Sequence, residues 1–108
     1  MKKLALVTGA NRGIGFETAK QLASQNIKVL LGVRNEDRGR EAENKLKSSN
    51  LDVEYIHLDV DDTKTHEAAV KLIQEKYGKL DILINNAGIF IDEMENEQLV
   101  QASKTAIL

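Results

Sequence analysis

Gly9, Gly13 and Gly15 stand at G-x-x-x-G-x-G spacing in the stretch LALVTGANRGIG, directly behind the apolar run that begins at Leu4. Glycine takes the positive φ of a tight strand-to-helix turn, and without a Cβ it lets a ligand oxygen come up to the main chain. A helix starting near Gly13 would add unpaired N–H groups and a partial positive charge, which suits a phosphate or pyrophosphate. The same spacing also serves a plain tight turn, so position in the fold has to decide between them. A P-loop is excluded, because no Gly-Lys-Ser/Thr follows.

Metal chemistry has little to work with. His57 falls on an apolar run and His66 at the start of a helical stripe, too far apart for a helical metal pair, so both are expected as core or surface histidines. The absence of cysteine removes thiolate ligands and any disulfide framework. No metal site is expected.

Four short runs must hold the glycine turn: KKLALVT reads as a strand buried on both faces, IKVLLGV and VEYIHL as the second and third strands, and LDILIN as a fourth, buried strand. Helical spacings lie between them. Phe16, Ala19, Leu22 and Ala23 mark the first helix, with Asn26 as its stop, and EDRGREAENKLKSS reads as a mostly solvated second with Ala42 and Leu46 inward. From Asp62 to Tyr77, the residues His66, Ala69, Val70, Ile73 and Tyr77 trace an apolar stripe that Gly78 ends. Asn96 can cap a last amphipathic helix carrying Leu99, Val100, Ala102, Ala106 and Ile107.

Strands alternating with helices imply right-handed crossovers and a parallel sheet with helices on both faces. The expectation is an α/β fold, a Rossmann-type sheet of about four strands in the order 3-2-1-4, forming a single domain over residues 1–108. Ligands of such sheets bind beyond the carboxyl ends of the strands where the order reverses, here between strands 1 and 4. The glycine turn sits at that edge, which favours a phosphate over a plain turn.

TGANRGIG at Thr8 to Gly15, the pair Asp59-Val60 after strand 3 and NNAG at Asn85 to Gly88 after strand 4 occur in this order, each on the matching strand end. Together they resemble the short-chain dehydrogenase/reductase family, with a flavour closest to its carbonyl-reductase-like members, over roughly residues 1–92. The resemblance implies that Gly9, Asn11, Arg12, Gly13, Ile14 and Gly15 wrap the pyrophosphate and adenosine ribose of a nicotinamide dinucleotide. By the same resemblance Asp59 accepts a hydrogen bond from the adenine amino group and Val60 packs near the ring. Asn86, Ala87 and Gly88 line the nicotinamide-side ribose, while Asn85 ties strand 4 to its neighbours. Read without the family, Asp59 belongs to an acidic run, DVDD, that could be solvated, and Asn85 to Gly88 could be a turn.

The end of strand 2 bears on which dinucleotide is held. An NAD site usually presents a carboxylate there, which would repel a 2′-phosphate. The sequence has Val33 and Arg34 instead, and Arg34 can fork two hydrogen bonds to phosphate oxygens while Arg12 approaches from the glycine turn. This favours NADP over NAD, although both arginines could be surface charges and Glu36 and Asp37 lie nearby.

Reduction of a carbonyl also needs a positioned acid. Family members use a Tyr-x-x-x-Lys helix pair with a serine and a further asparagine, all C-terminal to the stretch matched here. Tyr55 and Tyr77 have Asp59 and Asp81 four residues on, and Tyr77 is expected at the amino edge, about 17 to 20 Å from the cofactor edge. Ser24, Ser48 and Ser49 read as helix-end residues, and Ser103 and Lys104 have no tyrosine partner. No catalytic residue is expected in this chain, which reads as the cofactor-binding half of a dehydrogenase: a truncated gene product, a deliberately cut chain or a remnant redeployed for binding.

Composition excludes other classes. A formal net charge of -2, spread along the chain, leaves no footprint for nucleic acid or an anionic membrane. The Met-Lys-Lys start imitates a signal peptide, but Thr8 and Gly9 interrupt the apolar region it needs, and no run approaches a membrane span of about 20 residues. The expected setting is the cytoplasm. A strand 4 left without an outer neighbour would seek cover, so a homo-oligomer through that edge or the final helix is expected. Two alternatives are a carbonyl reductase completed by another chain, and an interaction or structural module with a vestigial site.

Overall fold

The computed structural model describes residues 2–86. Its elements run β1 (Leu4–Thr8), α1 (Gly13–Ser24), β2 (Lys28–Val33), α2 (Glu36–Lys47), β3 (Val53–His57), α3 (Thr63–Tyr77) and β4 (Ile82–Ile84). All four strands are parallel, in the order β3-β2-β1-β4, as the alternation of strand and helix predicts. Strand 4 is shorter than its apolar run suggested, and the helix expected after Asn96 lies outside the described residues.

Each strand sends alternate side chains to opposite faces, and each face has its own cover. Leu4, Leu6, Leu30, Ile56 and Leu83 pack with Ala69 and Ile73 of α3. Ala5, Val7, Val29, Leu31 and Val53 pack on the other side with Ala19 and Ala23 of α1 and with Ala42 and Leu46 of α2. Leu6, Leu30, Leu31 and Leu83 are 0% exposed, which fixes the register, because a slip of one residue would exchange the two faces. Each of these leucines contributes about 1.5–3 kcal/mol of burial.

Three inward positions go beyond the sequence reading or sharpen it. His66 is a core histidine, 1% exposed. Tyr77 ends α3 half-buried, and its hydroxyl donates to Glu54 Oε1 at 3.2 Å. Glu43, on the helix expected to be mostly solvated, is 5% exposed. Gly78 terminates α3 with φ 84, a positive value that glycine takes without a Cβ clash.

Candidate functional site

Strand β1 delivers the chain to the carboxyl edge of the sheet, where Gly9 takes φ 63 and its N–H donates to Gly32 O at 2.8 Å. The chain turns through Ala10 and Asn11, and Arg12 adopts the extended backbone of a helix cap without providing a side-chain acceptor. Gly13 then opens α1 with φ 60. The first turn of α1 holds no acidic residue, so its leading N–H groups have no side-chain partner within the helix. Helices α2 and α3 differ: Asn35 Oδ1 accepts from the Arg38 N–H at 3.0 Å, and Asp62 Oδ1 from the Lys64 N–H at 3.0 Å.

Gly15 serves closeness rather than conformation. A Cβ there would overlap the Gly9 carbonyl oxygen and lie 2.8 Å from Asn86 Nδ2. The glycine turn and the segment after β4 therefore touch. Buried Thr8 fastens them together: its Oγ1 accepts the Asn86 N–H at 2.9 Å and donates to Asn85 Oδ1 at 3.4 Å. Asn85 thus ties β4 to β1, while Asn86 stands exposed at the edge. Ala87 and Gly88 lie outside the described residues.

Exposed cations surround this turn. Arg12 lines a cleft of about 360 Å³ together with Asn11, Arg38, Glu41, Ala42 and Lys45. Arg34 directly follows β2, the neighbour of β1, and is exposed, but it does not line this cleft. The companion of Arg12 there is Arg38, which the sequence reading passed over. Its position in the first turn of α2, three residues after the capping Asn35, was the available signal, since it sets Arg38 at the same sheet edge. Ile14 is 78% exposed, a large apolar side chain left against solvent beside the turn.

Asp59 and Val60 follow β3 on that edge. One carboxylate oxygen of Asp59 accepts the Asp61 N–H at 3.0 Å, and its backbone N–H donates to Thr65 Oγ1 at 2.9 Å, so the loop into α3 is held from within. Val60 packs partly buried against the α3-side core. Gly9, Asn11 to Gly15, Arg34, Asp59, Val60 and Asn86 thus share the carboxyl end of one sheet.

The tyrosines are not among them. Tyr77 lies at the amino edge with Lys76 and Glu54, and Tyr55 packs against α2 with the Arg40 guanidinium 5.0 Å from its ring centre. Burial, aided by the Glu36 carboxylate, pushes the Tyr55 hydroxyl above the ordinary tyrosine value, away from a proton donor's range at neutral pH. Ser24 and Ser48 donate to carbonyls of their own helices, as helix-end serines do. Among the described residues no cluster could hold a metal ion, and no helix is long and apolar enough to cross a membrane.

A model of the short chain dehydrogenase family matches residues 3–107. The chain is 49% identical over 98 residues to (-)-isopiperitenone reductase from Mentha piperita, an overlap of 87% of this chain and 31% of that protein. Menthone neomenthol reductase from Mentha piperita shares the fold with a TM-score of 0.77 and 48% identity, over 82% of this chain and 32% of its own. The L-sorbose reductase of Gluconobacter frateurii, solved with NADPH and L-sorbose, gives a TM-score of 0.74 and 34% identity, over 82% of this chain and 34% of that one. The chain spans about a third of the length of these relatives.

Proposed function

The chain belongs to the short chain dehydrogenase family, and on that premise we propose that it forms the NADP(H)-binding unit of an oxidoreductase acting on a carbonyl or alcohol. The observation that carries the reading is the uncapped start of α1, beside a turn so tight that a Cβ on Gly15 would overlap the Gly9 carbonyl oxygen. Bare amides at a helix N-terminus suit a diphosphate. The reductase names of the relatives, and the NADPH in the L-sorbose reductase complex, support the choice of ligand.

In this reading Gly9, Asn11, Gly13, Ile14 and Gly15 hold the diphosphate and adjoining ribose. Arg12 and Arg38 face the 2′-phosphate across their shared cleft, and Arg34 approaches it from the end of β2. Asp59 keeps one carboxylate oxygen for the adenine amino group, Val60 packs beside the ring, and Asn86, Ala87 and Gly88 line the second ribose. The bound nicotinamide would supply or accept hydride. The chain's own part is to orient it, for the described residues place no tyrosine at this edge and assign no proton donor. A cytoplasmic location, and self-association over the outer side of β4 or the segment after Asn96, belong to the same proposal.

Fluorescence titration of the chain with NADPH tests it. Saturable binding is expected, with NADH weaker, and Arg38→Glu should cost NADPH about tenfold while changing NADH little, as loss of one charge-assisted hydrogen bond requires. An Arg38→Glu protein that binds both dinucleotides as the parent does, or a parent that binds neither, overturns the reading.

A further inference from the structure

Strand β3 ends the sheet and pairs only with β2 among the described residues. The Val29 N–H donates to Asp52 O and the Leu58 N–H to Val33 O, so even-numbered residues along this stretch turn their backbone groups toward β2. By alternation, Val53, Tyr55 and His57 turn theirs outward. An edge of this kind, with the β-prone sequence VEYIH, is a template for another strand.

One outward amide is already taken. The Tyr55 N–H donates to Glu43 Oε2 at 2.9 Å, and Glu43 reaches it from α2. A carboxylate buried on a helix face is costly unless its charge and oxygens are satisfied. Here Arg40 Nη1 lies 3.3 Å from Oε1 and Lys47 Nζ 3.5 Å from Oε2. The fit also depends on Gly39, one turn earlier on the same face, where a Cβ would overlap the Tyr55 ring. The helix is thus brought close enough for the acid to reach past the end of the sheet.

We propose that Glu43 guards this open edge, keeping β3 from pairing with β3 of a second copy. The outward groups make the edge self-complementary. In an antiparallel pair about a two-fold axis, residues in a hydrogen-bonded position exchange both N–H···O bonds. Residues 53, 55 and 57 are symmetric about Tyr55, so its N–H and C=O would form the central pair with the same residue of the partner, flanked by Val53 against His57. Glu43 occupies the donor at the centre of that arrangement, and its removal frees the bond on which the other pairs depend. An apolar residue at position 43 would pack on α2 equally well but leave the amide open. The proposal is independent of dinucleotide binding.

Amide hydrogen exchange and sedimentation equilibrium on the full chain test it. In the wild-type chain the Tyr55 amide should be protected. In dilute Glu43→Val it should exchange about tenfold faster relative to the Leu31 amide of central β2, the loss expected for a hydrogen bond to a charged acceptor. At higher concentration Glu43→Val should self-associate at least about tenfold more tightly than wild type and regain Tyr55 protection, while Glu43→Gln, which keeps an acceptor oxygen, stays near wild type. Should Glu43→Val lose Leu31 protection as well, Glu43→Ser replaces it with the same expectations. An unprotected Tyr55 amide in the wild-type chain overturns the proposal. So does a folded Glu43→Val or Glu43→Ser chain that associates no more than wild type.

Discussion

At the amino ends of the strands the charged side chains of Lys2, Lys28, Asp52, Glu54 and Lys76 are turned onto one another, whereas at the carboxyl ends the chain leaves donors and cations facing solvent. Lys28 lies 3.1 Å from Asp52 and 3.7 Å from Glu54, Lys2 reaches Asp52, and Lys76 reaches Glu54. Asp81 accepts the Leu4 N–H at 2.8 Å and joins β4 to β1 at the same end. Opposite them are the bare start of α1 and the exposed side chains of Arg12, Ile14 and Arg34. Since the two ends belong to the same strands, packing alone does not explain the contrast. One end stabilises the fold; in the proposed function the other holds back interactions for a ligand.

Substituting Gly15 should disrupt the open end most. In Gly15→Ala the new methyl meets the Gly9 carbonyl and the Asn86 side chain, and the backbone N–H groups of both residues are anchored, to Gly32 O and to Thr8 Oγ1, so the turn must open. Overpacking of this kind costs about 1–3 kcal/mol of stability. NADPH affinity should fall by more than tenfold, roughly what a 1.4 kcal/mol loss would give. Titration and thermal melting of the variant measure both losses. A Gly15→Ala chain that binds as the parent does would show that the turn is merely structural.

A smaller effect sharpens the contrast by exchanging caps. Asp62→Ala removes the acceptor at the start of α3 and should cost about 1 kcal/mol of stability, with NADPH affinity kept within about twofold. Arg12→Ser does the reverse: it gives α1 the cap it lacks, on a backbone already extended, and should raise stability while weakening NADPH. If both variants shift stability and affinity in the same direction, the division of labour between the helix starts is wrong.

Strands β1, β2 and β4 were legible because residues buried on both faces leave continuous apolar runs, β3 because its residues are β-prone, and α3 because its stripe keeps helical period. The glycine turn was legible too, since the lack of a side chain is visible in a sequence whatever the fold. Arg38 was legible only in part: its place in the first turn of α2 sets it at the sheet edge, but that it lies across a cleft from Arg12 is a property of the fold. Glu43 was hidden for another reason. Its partner is a backbone amide on β3, and main-chain donors leave no trace in residue types, so an acid on an inward helix face looked like solvent-facing charge. Ala87 and Gly88 remain readings of sequence alone.

Acid should act on the closed end and on the guarded edge with the smallest effect. Burial raises the carboxyl values of Asp52, Glu54 and Glu43, but the groups around them outweigh it and hold all three below their ordinary range: Lys28 and Lys2 beside Asp52, Lys76 and Lys28 beside Glu54, and the Tyr55 N–H with Arg40 and Lys47 beside Glu43. A carboxylate whose native value lies below its unfolded one makes the unfolded chain bind more protons in between. Its contribution is therefore complete above the unfolded value, about 4 to 4.5, and is lost as pH falls through the native value. Lys28 has the opposite sign: burial lowers its value, Asp52, Tyr77 and Glu54 more than restore it, and its contribution persists up to the ordinary lysine range and fades above it. Melting temperature should accordingly be flat near neutrality and fall below about pH 4.5. Asp52→Asn with Glu54→Gln should start lower at pH 7 and lose less on going to pH 3. An equal loss in parent and variant would place the acid sensitivity elsewhere and remove the electrostatic basis for calling the amino end closed.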